Sequence, residues 1–222
     1  MTRISPKSTW LTCAFLLFAA NAKADLFYWT NSPGRLFSAS TNWSPNGVPT
    51  ASDSVIFTNA GAYTVTMDIG ATNSAAFFHQ GSISQTITGA GWWVTNEWRV
   101  GEGVGRTSRV TAISGLLAVT NDSRSGILSV GRMAPGELSI RGGTIVVDRL
   151  LATNGSQSVL AFGHGALNTL GGMTVNAGRL VVGTTAGNIF VWNVAGGMNR
   201  IITGPFEYGG LTLGTNSGGA RA

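Results

Sequence analysis

Three stretches of ten residues share one pattern: VTAISGLLAV at residues 110–119, LSIRGGTIVV at 138–147 and MTVNAGRLVV at 173–182. Each begins with an apolar residue followed by Thr or Ser, has glycine at its sixth position and ends in Val. The central glycines are 28 and 35 residues apart. Because glycine lacks a Cβ atom and turns the chain at little steric cost, each stretch predicts two short strands that meet at a corner.

Such a unit favours a stacked architecture. One unit cannot bury its apolar side alone, whereas units stacked on one another bury a continuous core and pair their backbones. The repeat therefore predicts a parallel β-solenoid. Residues 63–68 give a second strand signal, since apolar side chains fall on odd numbers and polar ones on even numbers. The alternative is a β-sandwich in which glycine-centred hairpins recur by coincidence.

The composition supports an all-β fold and excludes several other classes. Gly, Thr, Ser and Asn make up 92 of the 222 residues, and only 10% of the residues are charged. Helical bundles and coiled coils contain more Ala, Glu, Lys and Leu than this. The hydrophobic share of 43% is too high for a disordered chain. Many short strands joined by tight turns are what the composition predicts.

Residues 1–24 have the layout of a secretory signal peptide. Two basic residues precede an apolar stretch over residues 10–20, and the segment ends in Ala-Lys-Ala at 22–24, the form of a cleavage site. The apolar stretch is too short to cross a bilayer. We therefore predict cleavage after Ala24, secretion, and no transmembrane span in the mature chain.

Cleavage changes what the charge and cysteine counts imply. The single cysteine, Cys13, lies in the signal, so the mature chain is expected to have no disulfide and no cysteine-ligated zinc. Eleven basic residues, all Arg, remain against nine acidic ones. The arginines are spread from Arg35 to Arg221 without a contiguous run that would follow a phosphate backbone. We expect no nucleic-acid partner and no cofactor.

Several motifs resemble a known class of proteins. They are YWT at 28–30, NWSPNGVP at 42–49, DSVIF at 53–57, YTVT at 63–66, LSVG at 128–131 and GELSIRGG at 136–143. Together they resemble large secreted bacterial β-solenoid proteins, with repeats associated with autotransporter passengers and with PEP-CTERM sorting systems. The resemblance covers most of residues 26–185. It implies an extracellular β-solenoid and says little about an activity.

The predicted fold is a right-handed parallel β-helix. Residues 25–90 are expected to form an N-terminal β cap region and the first coils, and residues 91–222 the solenoid repeats. Members of the class that the motifs resemble often end in a membrane barrel, a docking module or a Pro-Glu-Pro tail. Residues 214–222 match none of these. We therefore expect a protein that is released or held by others, or a piece of a longer chain.

The residues that carry acid–base chemistry are dispersed. The nine acids stand singly along the chain, and no two share a short motif. We therefore predict no catalytic residue and no metal site, with His79 and His164 as corner residues. A polysaccharide-cleaving enzyme on a β-helix would need acids from different coils to converge. The enzyme interpretation would be favoured if one groove contained two or more of the residues Asp122, Glu137, Asp148 and His164.

The segment WWVTNEWRV at 92–100 is the most suggestive sequence for binding. Read as one strand, its even-numbered residues from Trp92 to Val100 form the core face, Asn96 included. Trp93 would then stand outside beside polar neighbours, where a flat ring can stack on a sugar. The alternative is a ring packed beneath a loop or against a neighbouring coil.

These observations predict a secreted bacterial protein, of Gram-negative type, that acts at the cell surface or outside the cell. Its expected role is structural or adhesive, without catalysis, and its expected partner is a cell-surface or extracellular polysaccharide. The alternative is a polysaccharide-binding or polysaccharide-cleaving protein on the same β-helix. A jelly-roll binding module is a third interpretation.

Overall fold

The structure, a computed structural model, describes residues 23–182, 190–201 and 211–213. These residues contain one 3-10 turn at Ser40–Asn42 and no α-helix. They form β1 (Leu26–Trp29), β2 (Gly34–Leu36), β3 (Trp43–Ser44), β4 (Ser54–Phe57), β5 (Ala62–Met67), β6 (Ala71–Phe78), β7 (Gly81–Ile87), β8 (Trp92–Val100), β9 (Ser108–Ser114), β10 (Leu116–Val119), β11 (Ile127–Val130), β12 (Gly136–Ile140), β13 (Thr144–Val147), β14 (Arg149–Phe162), β15 (Gly165–Thr169), β16 (Gly172–Val182), β17 (Phe190–Val194), β18 (Met198–Ile201) and β19 (Leu211–Leu213). The predicted signal peptide lies almost entirely outside the described residues and stays a prediction.

The strands form a parallel β-solenoid of about seven turns. Strands in the middle of the stack pair with strands of the coils before and after them, and among the described strands only β1 and β3 pair antiparallel. The all-β solenoid is therefore confirmed, and the sandwich and jelly-roll interpretations are wrong. The right-handed sense stays a prediction.

Each coil has three faces. The first face contains β1, β4, β11 and β18, the second halves of β6 and β8, and the first halves of β14 and β16. The second face contains β2, β5, β7, β9, β12 and β19 with the second halves of β14 and β16. The third face contains β10, β13, β15 and β17 with the first halves of β6 and β8.

The first two sequence repeats stack in register. Residues 138–140 lie on 110–112 in the second face, and 144–147 lie on 116–119 in the third face. The repeat at 173–182 is displaced by one face, because it begins in the first face and ends in the second, paired throughout with β14. The same ten-residue pattern thus serves two different corners of the coil.

The corner between the second and third faces is a stack of glycines. Gly115, Gly143 and Gly165 have φ angles of +79°, +76° and +107°. A Cβ atom on Gly143 would lie 2.4 Å from the carbonyl oxygen of Gly115, and one on Gly165 equally close to that of Gly143. Only glycine fits this turn, because the backbone conformation and the spacing between coils both exclude a side chain.

Alternating side chains fill the interior of the coils. Tyr63, Val65 and Met67 are buried, as their odd-numbered alternation predicts. In the first face, aromatic rings stack from coil to coil, and the centroids of Phe57 and Phe78 lie 4.7 Å apart with the rings 3° from parallel. Burial of these large rings supplies much of the stability of the early coils.

Aromatic residues also close the N-terminal end of the core. Trp29, Phe37 and Trp43 are buried against one another, and β3 covers part of the free edge of β1. Covering an edge in this way protects a sheet from pairing with other chains. Parallel pairing then continues on both sides of residue 91, and the predicted division at that residue stays a prediction.

Coil length varies at the corners. In the first face, Glu97 pairs with Ile127, whereas Ile127 pairs with Arg149. The first of these coils is 30 residues long and the second 22. The longer coil carries extra residues in the segments 101–107 and 120–126. Loops of this kind project from the stack, so they are the places where the outer surface acquires shape.

Candidate functional site

Trp93 lies on the outer side of the third face and is partly exposed. Its indole ring is folded over two glycines of the adjoining corner. A Cβ atom on Gly91 would lie 2.8 Å from Cη2 of Trp93, and one on Gly70 would lie 3.9 Å from Cζ3. The ring therefore occupies space that a side chain on Gly91 would fill, and it lies near Gly70. Its role in sugar binding stays a prediction.

The alternation of inward and outward side chains that predicts an outward Trp93 continues along β8, except where the strand turns the corner at Asn96. Trp92, Val94, Trp98 and Val100 are buried as expected. Asn96 is exposed, so its assignment to the core was wrong, and its Nδ2 donates a 2.8 Å hydrogen bond to Oγ of Ser74. The reason is that β8 bends here from the third face to the first, and the pairing register with β6 shifts at the bend.

Trp93 belongs to a row of outward residues in register on successive coils, which we call the axial row. Its members carry no charge and are Thr72, Trp93, Ala118, Val146, Asn168 and Asn193. Nδ2 of Asn193 donates to Oδ1 of Asn168 at 2.7 Å, so the two amides form a ladder at one end of the row. The row thus joins a partly exposed aromatic ring, the buried methyl group of Ala118, the partly exposed Val146, and hydrogen-bonding amides.

A loop at 120–126 stands beside this row, at the corner between the third and first faces. Its conformation is held from within by Asn121, whose Oδ1 accepts the N–H of Ser125 at 3.0 Å and the hydroxyl of Ser123 at 2.8 Å. Nδ2 of Asn121 donates to the carbonyl of Thr95 in the preceding coil at 2.7 Å. The side chain therefore fixes the loop both internally and to the stack.

Asp148 holds the same loop from the following coil. Its carboxylate is fully buried, and Oδ2 accepts the N–H groups of Asn121 and Gly126, both at 3.0 Å. A guanidinium nitrogen of Arg124 lies 3.9 Å from Oδ1. Oδ2 is thus committed to the loop, whereas Oδ1 accepts no hydrogen bond from the described residues, and the carboxylate acts as a structural element through Oδ2.

The loop encloses a recess of about 460 Å³. Its wall is polar and is formed by Thr120, Asn121, Asp122 and Arg124, whereas Val146 and Leu170 form the apolar part. Val146 belongs to the axial row as well, so the recess and the row form one continuous surface. A polar wall beside two apolar side chains offers a ligand both hydrogen bonds and apolar contact.

The four residues whose convergence would favour an enzyme lie at three places on the solenoid. Asp122 and Asp148 lie at the corner that contains the loop at 120–126. Of these two acids, only Asp122 is exposed. Glu137 lies on the outer side of the second face, where Oε2 accepts a 2.8 Å bond from Nε of Arg109. His164 is exposed at the glycine corner, and His79 also follows the end of a strand.

A charge cluster on the outer side of the first face was not predicted. Arg99 makes an ion pair with Glu97 and approaches Glu102 at 3.5 Å, and Arg132 lies 3.6 Å from Glu97. The guanidinium carbon of Arg99 also lies 5.2 Å from the ring centroid of Phe77. Glu97, Arg99 and Glu102 are close in the sequence, whereas Arg132 comes from the following coil, so the linear sequence gives no signal of its proximity to Glu97.

Burial dominates the electrostatics of that cluster. Desolvation lowers the pKa of Arg99 below its ordinary value, and the charge of Glu102 opposes the shift only in part. Each carboxylate faces a guanidinium, which suits a contact that ties the loops near 102 and 132 to the first face. Among the described residues, no group of three or more His, Cys, Asp or Glu side chains could hold a metal ion.

Two further acids connect the first coil to the second. Asp53 accepts the N–H of Asp25 at 3.0 Å and both the N–H and the hydroxyl of Thr50. Asp68 accepts the N–H and the hydroxyl of Ser38. For both carboxyls desolvation raises the pKa, but the donated hydrogen bonds outweigh it and hold the pKa below its ordinary value. These acids serve the fold in the same way as Asp148.

Comparisons with protein-family models, with curated proteins and with solved structures find no match to this chain. In the part of the chain that the structure describes, no helix is long and apolar enough to cross a membrane.

Proposed function

We propose that this protein is a secreted structural or adhesive scaffold that acts at the bacterial cell surface or outside the cell, without catalysis. The observation that carries the proposal is the use of three aspartates in contacts between coils. Asp53, Asp68 and Asp148 all accept hydrogen bonds that join parts of neighbouring coils. Acid–base groups engaged in this way stabilise a rigid stack, which suits a protein that presents an extended surface.

The cellular location rests on the sequence. The predicted signal peptide at 1–24 and the resemblance of residues 26–185 to secreted bacterial β-solenoid proteins both support export. A fusion of residues 1–24 to a reporter enzyme that is active only outside the cytoplasm should give activity. The same fusion with Leu16 and Leu17 replaced by Arg should give none, because an interrupted apolar stretch no longer acts as a signal. Equal activity from both fusions would contradict the proposal.

Adhesion and catalysis can be separated in one experiment. Beads coated with residues 25–222 should adhere to bacterial surfaces or extracellular polysaccharide, whereas beads coated with heat-unfolded protein should not. The same protein, incubated with soluble polysaccharides, should release neither reducing ends nor unsaturated products. Release of either product would overturn the non-catalytic role, and a lack of adhesion would overturn the adhesive one.

Polysaccharide binding is the second candidate, and one specific observation favours it. Trp93 is an outward, partly exposed ring in a row without charges, and it packs over the Cα of Gly91. A flat aromatic surface fixed in advance is what stacking against a sugar requires. On a glycan array, Trp93→Ala should abolish retention while the circular dichroism of the folded protein is unchanged. Unchanged retention would contradict this candidate.

A further inference from the structure

The axial row and the recess beside it have the dimensions of a site for an extended chain. Neighbouring strands in a sheet lie about 4.8 Å apart, so the four coil steps from Trp93 to Asn193 cover about 19 Å. One coil step is similar to the length that one sugar adds to an extended β-linked polysaccharide. A glycan lying along the solenoid axis could therefore present about one sugar to each coil.

The groups along this path are of the types that carbohydrate recognition uses. Trp93 offers a ring for stacking, Val146 an apolar contact, and Asn168 and Asn193 amide donors and acceptors for sugar hydroxyls. Their spacing follows from the register of the sheet, and Asn121 and Asp148 fix the loop that forms the side wall. The site is thus held in place before any ligand binds, which lowers the entropy cost of binding.

Charge determines the class of ligand. None of the six residues of the axial row is charged. At the recess, the guanidinium of Arg124 lies 3.9 Å from the buried carboxylate of Asp148, and Asp122 adds a negative charge. A polyuronate would meet Asp122 without a cation in the row to compensate, whereas a neutral glycan needs only hydrogen bonds and stacking.

From these observations we infer that the axial row and the 120–126 recess bind a neutral polysaccharide whose chain runs parallel to the solenoid axis, from Trp93 to Asn193. The inference rests on the polysaccharide-binding candidate above and adds the class of glycan, its direction and the residues at its two ends. The bound chain spans about five sugars, one for each coil from Trp93 to Asn193.

Chain-length dependence tests the direction of the glycan. Cello-oligosaccharides and chito-oligosaccharides of two to eight sugars are titrated into residues 25–222 by calorimetry. The affinity should rise with length and level off near five sugars. Trp93→Leu, which fills the space over the glycines without a flat ring, should lower the affinity about tenfold or more at every length. Asn193→Ala should lower it about threefold or more, but only for the longer chains.

A variant on another face provides the matched control. Tyr28, 42% exposed on the first face, is an outward aromatic residue far along the surface from the axial row. Tyr28→Ala should leave every affinity unchanged. Circular dichroism and the unfolding midpoint of each variant show that differences in binding do not come from unfolding.

The outcomes separate the inference from the candidate on which it rests. If Trp93→Leu weakens binding but Asn193→Ala has no effect at any length, the axial direction is overturned and polysaccharide binding stands. If only oligogalacturonates bind, and added salt weakens their binding, the assignment of a neutral glycan is overturned. If the parent protein binds none of the neutral oligosaccharides, both the inference and the polysaccharide-binding candidate are overturned.

Discussion

Two corners of the same coil are built in different ways. Between the second and third faces, Gly115, Gly143 and Gly165 turn the chain by backbone conformation alone and stack without space for a side chain. Between the third and first faces, Asn121 and Asp148 hold a longer loop by side-chain hydrogen bonds. The first corner is compact and leaves no surface feature, whereas the second projects from the stack and forms a recess.

The difference suggests how a repetitive fold can acquire a binding surface. A corner made of stacked backbone cannot change without disturbing both neighbouring coils, because each coil contacts the next directly. A corner held by polar side chains can lengthen while the strands on either side keep their register. The 30-residue coil that contains the loop at 120–126 fits this interpretation. The strand after the loop, β11, still pairs in register with β8 of the preceding coil and with β14 of the following coil.

Substitution at the glycine corner should have the largest effect on stability. Gly143→Ala introduces a Cβ atom 2.4 Å from a backbone oxygen at a φ of +76°. We expect a loss of at least about 3 kcal/mol in the free energy of unfolding. Gly105→Ala is the matched control, because its φ is +71° and a Cβ atom there meets nothing within 4 Å. It should lose only about 1 kcal/mol, the cost of the backbone conformation.

Denaturant unfolding of both variants measures this difference. If Gly105→Ala and Gly143→Ala lost the same stability, the stacking of coils at the glycine corner would contribute nothing beyond the backbone conformation. The contrast drawn between the two corners would then be wrong.

Removing the carboxylate at the polar corner should have the next largest effect. Asp148→Ala leaves the N–H groups of Asn121 and Gly126 without their acceptor, which should cost about 2 to 3 kcal/mol. Trypsin should then cleave after Arg124 much faster than in the parent, because the loop opens locally. Asp122→Ala, an exposed change in the same loop, should alter neither stability nor cleavage. Unchanged cleavage in Asp148→Ala would show that the loop is held without this carboxylate.

Acid should weaken the carboxylate contacts of the first two coils. The pKa values of Asp53 and Asp68 are below the ordinary value in the folded protein, so the folded state binds fewer protons than the unfolded state there. Their stabilisation is complete above the ordinary pKa of Asp, about 4, and is lost as the pH falls through the folded pKa. The unfolding midpoint should therefore decrease below about pH 4.

A variant shows whether these carboxyls cause the decrease. Asp68→Asn should lower stability at neutral pH and make its decline in acid less steep than in the parent protein. Two curves of equal slope would mean that the contact between Asp68 and Ser38 does not contribute to the pH dependence.

Much of the fold was predictable, whereas the position of each unit along the coil was not. Alternation and the glycine-centred pattern correctly predict the solenoid and the in-register stacking of 110–119 with 138–147. The pattern at 173–182 looks the same in sequence but begins in the first face instead of the second. The reason is that a glycine between two apolar strands fits any corner of the coil. Because the coils differ in length, the sequence spacing between repeats does not show which corner a repeat occupies.

The candidate site shows the same limit. Alternation predicted that Trp93 points outward, but Asn168 and Asn193 gave no signal because they meet only through the register of β15 with β17. The recess combines residues of three coils, and Val146 resembles any other strand residue in the sequence. Spacings of 21 to 28 residues between successive members of the axial row would have been the clue, once the coil lengths were known.

A polar contact on an open face should matter least. Nε of Arg109 donates to Glu137 at 2.8 Å across neighbouring coils of the second face, but the Arg109 side chain is 58% exposed. Because water screens this pair and both side chains lose freedom in making it, Arg109→Gln should change the free energy of unfolding by no more than about 0.5 kcal/mol. The residual effect should vanish in high salt. Denaturant unfolding at two salt concentrations measures this. A loss as large as that of Asp148→Ala would mean that any polar contact between coils stabilises the stack, whether buried or exposed, and that burial is not what distinguishes the polar corner.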